Sequence, residues 1–258
     1  MRICIVGAGK MGTILSDSLC LQHDVAIYDK EITRLQYVFN TRRLTSLEEI
    51  REFNPELLIN AVTLKYTIQT FEEVLPYLSP SCMISDIASV KTGLKEFYEK
   101  AGHPFVSTHP MFGPTFANLR DLRKNHAIII KEGDHLGKVF FKDFYSTLGL
   151  NIHEYTFQGH DETTAYSLSI PFVSSMVFAA CMKPQDAPGT TFSKHFDTAK
   201  GVLSEDDYLL TEILFNPYTP EQVERIHDQL GRLVEIIKDK DTEAMHTYLN
   251  ELRENIAK

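Results

Sequence analysis

"RICIVGAGKMG", residues 2–12, decides the fold. A short run of β-branched and apolar residues leads into glycines at positions 7, 9 and 12, and an amphipathic stretch, "GTILSDSLCLQ", follows directly. Strand, glycine turn and helix in that order give the pattern G-x-G-x-x-G a physical meaning. The first glycine permits the tight turn, the second lets a pyrophosphate approach the backbone, and the third lets helix and strand pack closely. Gly7, Ala8, Gly9, Lys10, Met11 and Gly12 are therefore the expected dinucleotide-binding loop. An acid closes the next apolar run, Asp29 in "VAIYDK". A carboxylate there accepts from both ribose hydroxyls and repels a 2′-phosphate, so the expected cofactor is NAD. Lys30 and Arg34 follow closely enough to soften that choice, and the plainer reading of Asp29 is that it starts the next helix.

Working outward, apolar runs at "DVAIYD", "LLINAV", "CMISDI", "PFVSTH", "HAIIIK" and "LNIHEYT" alternate with helical patterns at "TIQTFEEVLPYL", "TGLKEFYEK" and "GKVFFKDFYSTL". Strands that are apolar throughout belong to a sheet covered on both faces, and hence mostly parallel. The first domain, residues 1–155, is expected to be α/β and doubly wound. From 156 to 258 the β-branched runs disappear. "HDETTAYSLSIPFVSSMVFAACM", "SEDDYLLTEILF", "TPEQVERIHDQLGRLVEIIKDK" and "DTEAMHTYLNELRENIAK" read as helices, with "SEDD" and "TPEQ" as N-caps and a loop around "KPQDAPGTTF". The second domain is expected to be all helix.

In a doubly wound sheet ligands bind beyond the carboxyl ends of the strands, and Gly7, Asp29, Asn60, Asp86, Ser89 and His109 fall at or just past strand ends. They are expected to share one rim. Within "SDIASVKTGL", residues 85–94, Ser89 is read as a hydroxyl facing the nicotinamide region rather than a cap for the helix near Thr92; Lys91 is read as solvated. In "VSTHPMFGP", residues 106–114, Pro110 restricts the backbone of His109 from its C-terminal side. The stretch is either a tight turn or a device for aiming an imidazole.

Bulk properties narrow the classes. The 258 residues are 43% hydrophobic and 24% charged with a net charge of −9, which disfavours a nucleic-acid partner, since such binding rests on Lys and Arg. Four cysteines, Cys4, Cys20, Cys82 and Cys181, show no metal spacing and suit reduced thiols in the cytoplasm. "MRICIVGAG" is broken by glycines too early for a secretory leader, and no segment is expected to span a membrane. No metal site is expected.

"GAGKMG", "DIASVKTGL" and "STHPMFGP" together resemble the prephenate dehydrogenase family, which includes arogenate dehydrogenases, and "GHDETTAY", residues 159–166, is similar to that family's His-Asp start of the first long helix after the nucleotide domain. The resemblance implies a Rossmann-type domain followed by a helical substrate-binding and dimerisation domain, in a homodimer. It implies NAD-dependent oxidative decarboxylation of prephenate to 4-hydroxyphenylpyruvate in tyrosine biosynthesis. It also implies His109 as the base for the hydroxyl proton, an imidazole near its ordinary pKa being suited to that role at pH 7, and Ser89 as its orienting partner. Relatives carry an arginine for a substrate carboxylate where "FDTAKGV" offers Lys200, with Lys194 and His195 as neighbours, and many carry a histidine where this chain has Pro171-Phe172. Arogenate is the alternative substrate. For His160-Asp161 two readings stand, a part in shaping the active-site mouth or a helix start; His126 and His227 are read as surface or packing residues. Apolar stripes such as Val223, Ile226, Leu230, Leu233 and Ile237 fit a second copy of the chain. The rivals are a two-domain dehydrogenase of the β-hydroxyacid or imine type, which would rely on a lysine in the helical half, and a non-catalytic NAD-binding protein.

Overall fold

A computed structural model of the chain describes residues 1–112 and 121–257; Gly113 and Pro114 of the "HPMFGP" stretch lie outside the described residues. Two compact units divide between Thr163 and Thr164.

The first unit is built on eight strands: β1 (Arg2–Val6), β2 (Asp24–Tyr28), β3 (Arg42–Leu44), β4 (Leu57–Asn60), β5 (Met83–Asp86), β6 (Phe105–Met111), β7 (His126–Ile130) and β8 (Asn151–Tyr155). Their order is β3-β2-β1-β4-β5-β6-β7-β8. Every pairing is parallel except β6 with β7. The order reverses between β1 and β4, which places a crevice at their carboxyl ends. Helices α1 (Lys10–Leu19), α2 (Leu47–Phe53), α3 (Thr67–Val74), α4 (Leu94–Ala101) and α5 (His135–Thr147) make the crossovers, and α6 (Phe157–Thr164) follows β8.

Alternate strand residues enter two separate cores, as a sheet covered on both faces requires. Ile3, Ile5, Val25, Ile27, Leu57 and Ile59 join Leu15, Phe141 and Tyr145 on one side. Cys4, Val6, Ala26, Leu58, Ile128 and Ile130 join Ile50, Phe71, Tyr98 and Phe157 on the other. Edge strand β3 has only Leu44 buried, so it leaves no apolar run in the sequence. Helix α2 is marked by Ser46, whose hydroxyl accepts from the Glu49 N–H.

The second unit opens with a π-helical turn, Ala165–Ser169, that leads into α7 (Ile170–Cys181). Pro171 has no N–H to give residue 167 and its ring would crowd that carbonyl, and the wider turn accommodates both defects. Then come α8 (Thr190–Val202), α9 (Asp207–Leu214), α10 (Thr219–Asp239) and α11 (Thr242–Ala257). Helix α8 departs from the expectation that helix resumes only at "SEDDYLL". Ala199 is its one buried residue, so it carries no broad apolar stripe to read. Asp206 caps α9 as expected. "TPEQ" does not cap α10 through its threonine: the buried Thr219 hydroxyl donates to the Ile213 carbonyl (3.0 Å) and contacts Ser169 Oγ (2.8 Å). Arg232 joins α10 to α11 through two bonds to Glu251 (2.6 and 3.1 Å).

The helical run Phe157–Cys181 is long and apolar enough, by length and composition, to cross a membrane, with a mean hydropathy of 1.4. Only 17% of its apolar window is buried. Each of the four cysteines is unpaired.

Candidate functional site

The glycine loop occupies the turn from β1 into α1. Gly7 has φ +106° and donates its N–H to the Tyr28 carbonyl (2.8 Å). A Cβ there would lie 2.8 Å from the Ala61 carbonyl group, and one on Gly12 would overlap the Gly7 carbonyl oxygen. Those two glycines are demanded by the fold itself. Gly9 is different: nothing lies within 4 Å of where its Cβ would be. Packing does not require glycine at position 9, whereas a ligand lying against the backbone does. Gly9 also begins α1, with no side-chain cap on that helix and no acid in its first turn, which leaves N–H groups and the positive helix end for an anion. The residues present therefore fit a dinucleotide.

Asp29 is 7% exposed. Its Oδ2 accepts from the Ala8 N–H (2.7 Å) and its Oδ1 from the Glu31 N–H (2.8 Å), so one carboxylate ties the glycine loop to the end of β2. An ionised carboxylate offers about four acceptor positions, and the remaining ones suit ribose hydroxyls. Of the two cations that could soften a preference for NAD, Arg34 pairs with Glu31 (2.7 Å) and Lys30 sits over the Tyr66 ring (4.7 Å).

Strand register places the expected rim residues together. Val6 stands opposite Tyr28 and Asn60, Asn60 opposite Asp86, and Asp86 opposite Ser107; His109 lies two residues beyond that row on β6. With strands ~4.8 Å apart, β6 is roughly 14 Å along the rim from β1. Two of the rim side chains serve the fold. Asn60 donates to the Thr67 carbonyl (2.8 Å) and accepts from the Val62 N–H (3.3 Å), closing the turn after β4.

The other is Asp86. It is fully buried, and so is Lys91, contrary to the expectation of a solvated lysine. Lys91 Nζ donates to Asp86 Oδ2 (2.5 Å) and to the Thr108 carbonyl (2.7 Å), and Asp86 also accepts from Tyr98 Oη (2.7 Å) and the Ala88 N–H (2.9 Å). Burial pulls the Lys91 pKa down, and the Asp86 carboxylate opposes that pull. Burial, then Asp86, push the Tyr98 phenol well above its usual range.

Lys91 thus fixes the backbone of β6 one residue before His109. The His109 Nδ1 lies 3.0 Å from His160 Nε2 on α6, and His160 Nδ1 lies 3.3 Å from Asp161 Oδ1. An ionised Asp161 accepts from His160 Nδ1–H, which leaves His160 Nε2 to accept from His109 Nδ1–H. That sequence of donors leaves a lone pair on His109 Nε2, the arrangement a general base requires. His160, for which the sequence left two readings open, is brought against His109 by the fold. Its signal was the His-Asp pair at a helix start, but nothing in the sequence joins it to a histidine 51 positions earlier.

The expected pKa of His109 is corrected. Burial first, then His160 and Lys91, hold it well below the ordinary histidine value of 6.5. His160 is lowered too, chiefly by burial. Both imidazoles are neutral at pH 7. Beside them, Ser107 Oγ is the one buried side-chain polar atom among the described residues with no hydrogen-bond partner. Ser89 is half-buried in the turn after β5. It does not cap the next helix, since α4 begins after Gly93 with no side-chain cap.

In the second unit Lys200 is exposed on α8. Lys194 and His195, two turns earlier, line a cavity between α7 and α8 of about 230 Å³, and Lys200 is not part of that lining. His227 is exposed on α10, and His126 pairs with His153 across β7 and β8 (3.0 Å). Among the described residues no group of three or more His, Cys, Asp or Glu could hold a metal ion.

Comparison with known proteins gives a consistent picture. The family described as "Prephenate dehydrogenase, nucleotide-binding domain" matches residues 21–148. A protein of Methanocaldococcus jannaschii named probable arogenate/prephenate dehydrogenase is 23% identical over 211 residues, covering 76% of this chain and 47% of that protein. The chain thus spans about half the length of that curated relative. Among solved structures, Synechocystis arogenate dehydrogenase matches with a TM-score of 0.79 at 18% identity, covering 100% of this chain and 99% of that one. Prephenate dehydrogenase from Aquifex aeolicus, in complex with hydroxyphenyl propionate and NAD+, matches with a TM-score of 0.83 at 19% identity, covering 100% and 97%. At such identities the structures establish a shared fold.

Proposed function

This chain belongs to the prephenate dehydrogenase family, and we propose that it carries out the NAD-dependent oxidative decarboxylation of prephenate to 4-hydroxyphenylpyruvate. The observation that carries the reading is the succession Asp161, His160, His109, which ends in an imidazole lone pair on the rim that begins at the glycine loop. Gly7, Ala8, Gly9, Lys10, Met11 and Gly12 hold the pyrophosphate and Asp29 the ribose. Bound NAD supplies the acceptor for the hydride that leaves the ring carbon bearing the hydroxyl.

His109 Nε2 takes the hydroxyl proton. The bond to the departing carboxylate breaks, its electrons complete the aromatic ring as carbon dioxide leaves, and the ring oxygen takes the proton back from His109 to give the phenol. Such a base contributes about 10²–10⁴ in rate. Burial keeps His109 unprotonated in the resting protein. A substrate with two carboxylates beside it attracts the proton and strengthens the base when it is needed. The Ser89 hydroxyl orients this centre, and Lys200 pairs with a substrate carboxylate as a point charge rather than a bidentate fork.

The assembly is a homodimer formed through the helical domain. Leu230, Val234 and Ile237 on α10 and Leu249, Leu252 and Ile256 on α11 are all more than a third exposed in the single chain. Apolar surface of that extent favours association.

The test is absorbance at the NADH band on adding prephenate or arogenate, each with NAD and with NADP. Prephenate with NAD is expected to give the largest kcat/KM. Arogenate in its place would transfer the reading to the runner-up substrate, and no reduction with either would end it.

A further inference from the structure

We propose that His126 and His153 form a surface site for a divalent transition metal, Cu(II) or Ni(II), chelated by two imidazole nitrogens. The site lies within the first unit and does not rest on the dehydrogenase reading.

Strand pairing brings the two rings together. In the parallel register of β7 and β8, Ile128 stands opposite His153, and His126 precedes Ile128 by two residues, on the same face of the sheet. The ring centroids are 5.1 Å apart at 37°, and His126 Nδ1 lies 3.0 Å from His153 Nε2. Both side chains are exposed. His153 also stacks on Tyr155, the next residue on its face of β8 (6.3 Å, 16°). Both rings stand on strands rather than loops, which favours a fixed ligand geometry. No metal-binding spacing in the sequence joins the two, which are 27 positions apart.

The donors select the class of cation. Neutral imidazole is a ligand for Zn, Cu, Fe and Ni, whereas Mg and Ca take oxygen. Each ring turns a lone pair towards the other when its proton sits on the far nitrogen, Nε2 of His126 and Nδ1 of His153. Neither far nitrogen has a partner among the described residues, so both can carry that proton facing water. Without metal, one ring donates to the other. A metal between them replaces that shared proton, which moves to the far nitrogen of its own ring.

The spacing selects the geometry. With metal–nitrogen bonds of about 2.0–2.1 Å, two ligands at a right angle lie roughly 2.9 Å apart, and two at the tetrahedral angle about 3.3 Å apart. The observed 3.0 Å fits the right angle, which belongs to tetragonal Cu(II) and Ni(II) rather than to tetrahedral Zn(II). The pair is a chelate whose other positions face solvent, and no cluster of three or more His, Cys, Asp or Glu among the described residues competes with it. His109 and His160 share the 3.0 Å spacing, but both are buried and Asp161 orders their donors. A hydrated cation reaches the surface pair and not the buried one.

The test titrates NiSO4 into the full chain by calorimetry, above the imidazole pKa and in a non-coordinating buffer. Saturable binding of Ni(II) is expected, tighter than that of Zn(II), with no binding of Mg(II). His126→Gln and His153→Gln should each weaken it by at least the ~10–100-fold that follows loss of a group merely hydrogen-bonded to a metal ligand. Both variants should melt with the parent, since both side chains are exposed. His109→Asn should titrate like the parent, which separates the surface pair from the buried one and from the proposed base. Bound Cu(II) should show two equatorial nitrogens by electron paramagnetic resonance. The proposal is overturned if Ni(II) does not bind saturably, if either surface variant titrates like the parent, if His109→Asn abolishes binding, or if Zn(II) binds more tightly than Ni(II).

Discussion

Replacing Lys91 by methionine removes a buried cation and leaves its partner in place. In the parent, both side chains of the Lys91–Asp86 pair have no exposed surface and meet at 2.5 Å. The Asp86 carboxylate would keep the Tyr98 and Ala88 donors but lose its only described counter-ion, and the Thr108 carbonyl would lose the Lys91 bond. Breaking a buried pair from one side costs about 3–5 kcal/mol, a large part of the ~5–15 kcal/mol that holds a domain together. At roughly 2–4 °C per kcal/mol for a unit of this size, the melting temperature should fall by about 6–20 °C. Urea unfolding at pH 7, followed by circular dichroism, measures it. Asp86→Asn combined with Lys91→Met removes both charges and should regain most of the loss, because the penalty belongs to the unpaired carboxylate. A second readout follows from the site. Lys91 helps to hold the His109 pKa down, so its loss should move the acid limb of kcat/KM to higher pH, still below 6.5 because burial is the larger cause. A single variant within about 1 kcal/mol of the parent, or a double variant no better than the single, would refute the reasoning.

The neutral burial of His109 and His160 sets a pH dependence of stability. Their folded pKa values lie below the unfolded value of about 6.5, so the unfolded chain binds protons first. Stability should be at its plateau above pH 6.5 and fall as the pH drops from there towards the folded values, by at most about 1.4 kcal/mol per pH unit for each group; His109→Asn should flatten the slope, as urea unfolding between pH 7 and 5 will show. Gly7→Ala should destabilise the fold, since its φ is +106° and its Cβ meets the Ala61 backbone at 2.8 Å, whereas Gly9→Ala should leave the melting temperature unchanged and weaken NAD binding tenfold or more by calorimetry. Asp29→Ser should raise the KM for NAD by roughly 10–100-fold through loss of charge-assisted bonds and narrow its advantage over NADP; unchanged discrimination would remove Asp29 from the ribose site.

The first strand and the glycine loop were legible because their constraint is local: Gly7 and Gly12 admit no other side chain whatever surrounds them. Seven of the eight strands announced themselves as apolar runs: six lie inside the sheet with buried side chains on both faces, and edge strand β8, with no fully buried residue, keeps Ile152 and Tyr155 half-buried. Strand β3 did not, with two of its three residues exposed on an edge, and α8 did not, with Ala199 alone buried. The rim could be assembled from strand ends alone. What the rim residues do there could not, because it depends on partners brought together by folding. Lys91 looked like a surface lysine until β6 supplied the Thr108 carbonyl and β5 the Asp86 carboxylate. Likewise the depressed pKa of His109 comes from burial and from residues 18 positions before it and 51 after it, and no window of sequence holds all three.

The central claim is that His109 removes a substrate proton. It is tested most directly by His109→Asn, measuring NAD affinity by calorimetry and NADH formation from prephenate in the same preparation. The account predicts unchanged NAD affinity and melting temperature with kcat reduced by about 10²–10⁴. A variant that turns over as fast as the parent, with NAD bound as well, would contradict it.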